Sequence, residues 1–203
     1  MNARERNDLI ISWLTISFAF AWIQVNVLTS GGVMDLVAAF VIMLVAVGAG
    51  FILHELAHKY VAIHYGAHAE FRMWREGLIF AIILAFTIGI VFAAPGAVYV
   101  MGRSITTRQN GIISLAGPVT NLAIVLAFGM LYGLLNPAGF LKALIAYTMQ
   151  INFFLAAFNM LPIFPLDGSK VFAWNKGIWL VTIAIAAAGV IFFNDVLALF
   201  SMA

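Results

Sequence analysis

Five stretches of the chain are apolar for long enough to cross a bilayer as a helix, which takes about 20 residues. They are 9–29, 36–63, 111–135, 141–161 and 177–200. The breaks between them are Ser30-Gly31-Gly32, Asn136-Pro137 and a Pro/Gly-rich run over 162–169, all of them turn chemistry. A further stretch, 78–101, is irregular. Residues 78–94 could just cross, but Ala94-Pro95-Gly96 interrupts them, and Ala97-Val98-Tyr99-Val100 is strand-like in composition. The pattern predicts an all-α polytopic membrane protein with about five to six hydrophobic segments. Near 78–101 it predicts a re-entrant or strand-containing insert. No repeat, low-complexity tract or appended soluble domain is visible, so 1–203 reads as one transmembrane domain with its core over 36–170.

Composition sharpens this reading. Hydrophobic residues make up 65% of the chain and charged ones 9%, against about 25% charged in an average soluble domain. Lipid must therefore be the solvent for much of the surface. Arg4 and Arg6 precede an apolar run in which Ala19-Phe20-Ala21 could pass for a signal-peptidase site. That run continues to Leu28, beyond the usual h-region of about 7–15 residues, so it is expected to be a retained first span. The net charge of +2 comes from scattered Lys and Arg with no basic stripe, which argues against nucleic acid as a partner. Cysteine is absent, which rules out disulfides and thiolate metal ligands.

Charge placement bears on the path of 78–101. If that segment returns to the side it left and the N-terminus is cytoplasmic, every Lys and Arg except Lys142 lies on the cytoplasmic side. If it crosses fully, the split becomes six against four. The positive-inside rule favours the returning path. Irregular backbone at membrane depth must be covered by protein or a wet cavity, so 78–101 is expected to pack against the site.

The chemistry is concentrated in His54-Glu55-Leu56-Ala57-His58, inside the second span. Residues four apart share a helix face, so the two imidazoles can converge on one metal. Glu55 lies about 100° round from His54 on the helix, beside the metal, where it can take a proton from the water that the metal activates. Zinc accepts nitrogen and oxygen ligands and lowers the pKa of bound water to about 7. A chance polar patch is the bland alternative. It has to place three ionisable residues within five positions of a spanning helix, each costing about 2.5–3.5 kcal/mol on insertion scales.

A catalytic zinc needs a third protein ligand and one open position. His64 stands where some soluble zinc proteases place a third histidine, but Val61 occupies the position of their bend-forming glycine. On a straight helix, His64 faces away from His58. His68 reads as a surface residue, and Glu70 and Glu76 as members of a solvated charged loop with Arg72 and Arg75. Asp35 and Asp195 sit at the other ends of their spans. Asp167 is the best candidate. Pro162 and Pro165 should unwind the chain ahead of it, although an ordinary Asp-Gly turn would look similar. His54 follows Asp35 by some 28 Å of helix, and Asp167 follows about 20 apolar residues that begin near Lys142. Both then arrive at the cytoplasmic end, provided that 78–101 returns.

Three motifs over about 36–170 together resemble the site-2 protease family of intramembrane zinc metalloproteases. They are His54 to His58; Ala116-Gly117-Pro118-Val119-Thr120-Asn121; and Asn159 to Gly168 with its Leu166-Asp167-Gly168 ending. The resemblance implies one zinc ion held by His54, His58 and Asp167, with Glu55 as general base. It also implies a transmembrane protein as substrate and a multi-pass place in the cell membrane, with the active site near the cytoplasmic side. Asn121 and Asn159 match polar positions that the family keeps near the site. They would hold an unwound substrate backbone or stabilise an oxyanion, or else bond helix to helix. Many relatives carry a PDZ or CBS domain, and neither is expected here. The 78–101 insert is longer and more apolar than the short link of the family's minimal core, and could serve as a gate or a strand platform. Rival readings of the same ligands are a membrane metal transporter or sensor, or a binder of membrane helices that does not cut them.

Overall fold

The computed structural model describes residues 1–25, 32–91, 95–101 and 105–201. Residues 26–29 of the first expected span, its break at Ser30-Gly31, Ala94 and Arg103 lie outside the described residues. The elements in order are α1 (Ala3–Ile23), α2 (Val33–Val47), a π-helical turn (Gly48–Ile52) and α3 (Leu53–His64). There follow β1 (His68–Met73), α4 (Arg75–Thr87), β2 (Gly96–Met101), α5 (Thr107–Leu135), α6 (Gly139–Asn159), α7 (Asp167–Trp174), α8 (Lys176–Ile191) and α9 (Phe193–Ser201).

Among the described residues three helices are long and apolar enough to cross a membrane: Val33–His64, Thr107–Leu135 and Gly139–Asn159. A fourth is reached if α8 and α9 count as one broken span. The protein is thus helical and multi-pass, with a small sheet, and the expected five to six segments are not reached. Of the remaining expected spans, the first, 9–29, lies partly outside the described residues. The last expected span, 177–200, bends by 88° between α8 and α9. The bend lays α9 on α5, where a Cβ on Gly129 would sit 2.4 Å from the Phe200 ring and one on Gly133 would sit 2.5 Å from the Phe200 carbonyl oxygen. The two glycines form a notch that takes the end of α9 sideways.

Val33–His64 is a 32-residue rod built from α2, the π turn and α3. Two glycines let neighbours approach the π turn closely. A Cβ on Gly48 would meet Trp13 Nε1 at 2.8 Å, and one on Gly50 would meet Leu155 at 2.8 Å. The indole of Trp13 donates to the Leu44 carbonyl at 2.9 Å. π turns displace backbone groups from the regular ladder, and the Gly50 carbonyl accepts a bond from the Asn121 side chain at 3.1 Å.

The expected strand at 97–100 forms, as part of β2, which pairs antiparallel with β1 from His68↔Met101 to Met73↔Gly96. Trp74 N–H then donates to the Pro95 carbonyl at 3.0 Å. The excursion between the strands therefore begins and ends at one place. Its helix, α4, has 13 residues, about 20 Å of rise, short of a hydrocarbon core of about 30 Å. Ser12 of α1 donates to the Pro95 carbonyl at 3.2 Å and ties the return point to the first helix.

One apolar cluster joins α1, α2, the π turn and β1 through Ile16, Met43, Phe51 and Phe71. A second lies between α5 and α6 around Val125, Tyr132, Met149 and Phe153. Where α1 meets α3 and β1, Glu5 is fully buried and receives Lys59 Nζ on both oxygens at 2.6 Å and Phe71 N–H at 3.2 Å. Burial alone would raise the Glu5 carboxyl, but these donors hold it below its ordinary range. Lys59→Met should lower the thermal unfolding midpoint strongly, because a buried charge without its partner costs about 3–5 kcal/mol. The double variant Glu5→Gln/Lys59→Met should recover most of that loss, read in a thermal melt of the detergent-solubilised protein.

Candidate metal centre

The turn that follows the π segment carries His54, Glu55 and His58, at 4%, 9% and 6% exposure. Their i, i+4 spacing brings the two imidazoles to a centroid separation of 4.6 Å, edge to face. Asp167 Oδ2 completes the group, 3.3 Å from His54 Nε2 and 3.0 Å from His58 Nε2. One ligand atom from each of the three residues lies within 4.8 Å of the others.

The far side of each ring is committed. His54 Nδ1 lies 2.5 Å from Asn121 Oδ1, and His58 Nδ1 lies 2.7 Å from the Ile113 carbonyl. An N–H at Nδ1 satisfies each acceptor and leaves Nε2 as the ligating atom, the usual arrangement around a metal-bound histidine. The amide of Asn121 is itself fixed. Its Nδ2 donates to the Gly50 carbonyl at 3.1 Å and to Asn152 Oδ1 at 2.9 Å, while Asn152 Nδ2 donates to the Thr148 carbonyl at 2.8 Å. With both amide hydrogens used, only Oδ1 can face His54. Two nitrogens, each fixed from behind, and one carboxylate oxygen facing the same point fit zinc with a position left open.

Helix α5 reaches this point because Gly117 has no side chain. A Cβ there would stand 2.5 Å from Nε2 of both His54 and His58. Asp167 arrives at the start of α7, after residues 160–166 leave the helix in turns and bends, as Pro162 and Pro165 led one to expect. The start of α7 lies tight against the end of α6, where a Cβ on Gly168 would meet the Met160 carbonyl oxygen at 2.1 Å. Burial alone would raise the Asp167 carboxyl; His58 and His54 outweigh it and hold the group well below its ordinary range.

A cavity of about 170 Å³ opens on the centre, lined by His54, Glu55, His58 and Asp167. Asn159, Lys170, the aromatic rings of Phe20, Phe51, Phe154 and Phe158, and Ala97 and Val98 of β2 complete much of its wall. The β2 end of the insert therefore packs against the site, whereas α4 lies on α1 and leaves Ile79, Phe80, Ile83 and Phe86 exposed. Asn159 donates its Nδ2 to the Leu155 carbonyl at 2.9 Å and faces the cavity. Asn121 instead sits behind His54.

The remaining candidates stay apart from the centre. His64 is exposed at the end of α3, and His68 is exposed 3.5 Å from Glu70. Glu70 lies in strand β1 rather than a loop, where it accepts from Asn2 Nδ2 at 2.6 Å and pairs with Arg72. Glu76 is exposed in the first turn of α4. Asp35 accepts from Gly32 N–H at 2.9 Å, and Asp195 lies in the first turn of α9. Sequence reasoning missed Asn152 and the Ile113 carbonyl, for which no local signal exists, and counted Lys170 only as a charge. The steric role of Gly117 was hinted at by its place between Ala116 and Pro118.

A helix-borne HExxH pair joined by a carboxylate, in a protein whose helices can cross a bilayer, is the site of a membrane zinc metalloprotease. Comparison with known proteins agrees. The chain is 46% identical over 178 residues to MJ0611 of Methanocaldococcus jannaschii, assigned as a zinc metalloprotease, with 88% of each chain covered. It is 30% identical over 176 residues to Rip2 of Mycolicibacterium smegmatis, covering 79% of this chain and 66% of that one. It is 32% identical over 137 residues to YwhC of Bacillus subtilis, covering 60% and 63%. Both carry the same assignment. No family model matches the chain, and no solved structure matches it significantly. The chain belongs to the site-2 protease family of zinc metalloproteases. It is a zinc-dependent protease of the membrane, acting on protein.

Two outcomes test the geometry of the centre. Asn121→Leu should weaken zinc binding by about 10–100-fold, the usual loss when the group behind a ligating histidine is removed; competition with a fluorescent chelator measures it. Gly117→Ala, whose methyl falls on both Nε2 atoms, should lose zinc more severely than Ser114→Ala in the same assay.

Proposed function

We propose that the protein is an intramembrane endopeptidase that hydrolyses a peptide bond within a membrane-spanning segment of a substrate protein. The observation that carries this reading is the shared cavity, in which the HExxH residues, Asp167 and one strand of an insert meet between apolar helices. His54, His58 and Asp167 would hold the zinc, which when bound polarises a carbonyl oxygen and makes a neutral-pH nucleophile of water. Glu55 is the general base. Its carboxylate takes the proton from the attacking water and passes it to the amine nitrogen as the peptide bond breaks.

A helical substrate hides its peptide groups in its own hydrogen bonds and must unwind before it can be cut. Strand β2 is suited to receive it. Among the described residues β2 pairs with β1 alone, and Gly96, Ala97, Val98 and Val100 line the cavity. An extended segment can add to the other edge through backbone hydrogen bonds, which are blind to side-chain identity. Asn159, across the cavity, is placed to bond the same unwound backbone. The single domain of 1–203 would then work as core 36–170 plus a strand-bearing insert.

The active site would lie near the cytoplasmic face. The charge distribution supports this, and so does the meeting of Met73 with Gly96, which brings 74–95 back to where it left.

Glu55→Gln should retain zinc and slow cleavage of a single-span reporter protein in proteoliposomes by about 10²–10⁴-fold. Cleavage at the wild-type rate would remove Glu55 from the mechanism. Zinc uptake into the liposomes with no cleavage would favour a transporter.

A further inference from the structure

Lys170 has no part in the reaction outlined above, yet among the described residues it is the one cation on the cavity wall. It stands one turn after Asp167 on α7, with its Nζ 3.6 Å from Asp167 Oδ1. The other oxygen, Oδ2, faces both imidazoles. The two oxygens of one carboxylate thus have different partners: histidines on one side and an ammonium on the other.

The backbone of α7 is held firmly in place. Gly168 abuts the Met160 carbonyl, and a Cβ on Gly111 of α5 would stand 2.5 Å from Trp174. The Trp179 indole donates to the same Met160 carbonyl at 2.8 Å. What remains free is rotation of the carboxyl group, which could turn either oxygen, or both, toward the imidazoles. Glu55 adds a second carboxyl to the same cavity, so two like charges compete there unless a cation lies near.

We propose that Lys170 is a positioning residue of the metal centre: its ammonium holds Asp167 Oδ1, so that Oδ2 alone is presented to the ion. The proposal rests on the reading of Asp167 as a ligand. A purely structural i, i+3 pair supports only the helix that carries it. It would not change metal affinity or the electronic spectrum of a bound ion.

The full chain, purified in detergent and stripped of metal, can be titrated with Zn²⁺ against a fluorescent chelator. Loading with Co²⁺ then gives visible absorption spectra. Lys170→Met and Lys170→Gln should bind zinc about 10–100-fold more weakly and shift the cobalt bands. Lys170→Arg should recover most of the loss, and the metal-free thermal midpoints should stay together. Wild-type affinity and an unchanged cobalt spectrum in Lys170→Met and Lys170→Gln would overturn the proposal. A fall in metal-free stability with unchanged spectra would do the same and leave Lys170 a helix-pairing residue. Asp167→Ala in the same titration separates the two readings. If it too binds zinc as wild type does, the ligand assignment itself fails; if it alone loses zinc, only the role of Lys170 fails.

Discussion

The contact on which the site depends is that between α3 and α5. Two imidazoles buried in an apolar helix need a partner for each ring nitrogen that does not ligate, because an unpaired polar group away from water is costly. Helix α5 supplies both partners, the Asn121 side chain and the Ile113 carbonyl. It can come close enough only because Gly117 stands where the helices cross. Small residues at helix crossings are the general route to tight packing in lipid, where no hydrophobic force drives one apolar helix onto another. Here the same glycine that permits the crossing also leaves space in front of the two Nε2 atoms.

Polar residues are few, and the structure gathers them into connected groups. One runs from Thr148 through Asn152 and Asn121 to His54, with the Gly50 carbonyl joining from the π turn. This group links α6, α5 and the metal helix, so the orientation of His54 is tied to three elements. Another is Glu5, which joins α1 to α3 through Lys59 and to β1 through the Phe71 amide. A buried ion pair contributes little net stability against an apolar replacement, but it strongly disfavours arrangements that separate its members. Both groups therefore act on the relative placement of helices and sheet more than on overall stability.

The insert that follows β1 leaves the small sheet and comes back to it. Its two ends are zipped together by the strand pairing, its helix is short, and α1 covers the return point at Pro95. Strand β2 lines the cavity.

The sequence by itself determined the class of protein, the metal helix and the residues that could ligate. Long apolar runs, an i, i+4 histidine pair and a proline-broken approach to Asp167 are local features whose consequences follow from helix geometry. It also marked Ala97–Val100 as strand-like and, through charge placement, favoured a returning path for 78–101. Only the tertiary structure decided the rest. The bend after α8 brings Phe200 into a glycine notch in α5, far away in sequence. Asn121 proved to bond the ring of His54 rather than face the cavity, because Asn152 and Gly50 take both its amide hydrogens. Asn152, Lys59 and Lys170 became legible only once distant helices were side by side. Periodicity reports what a helix buries, but the partner of a buried polar group is set by where another helix crosses it.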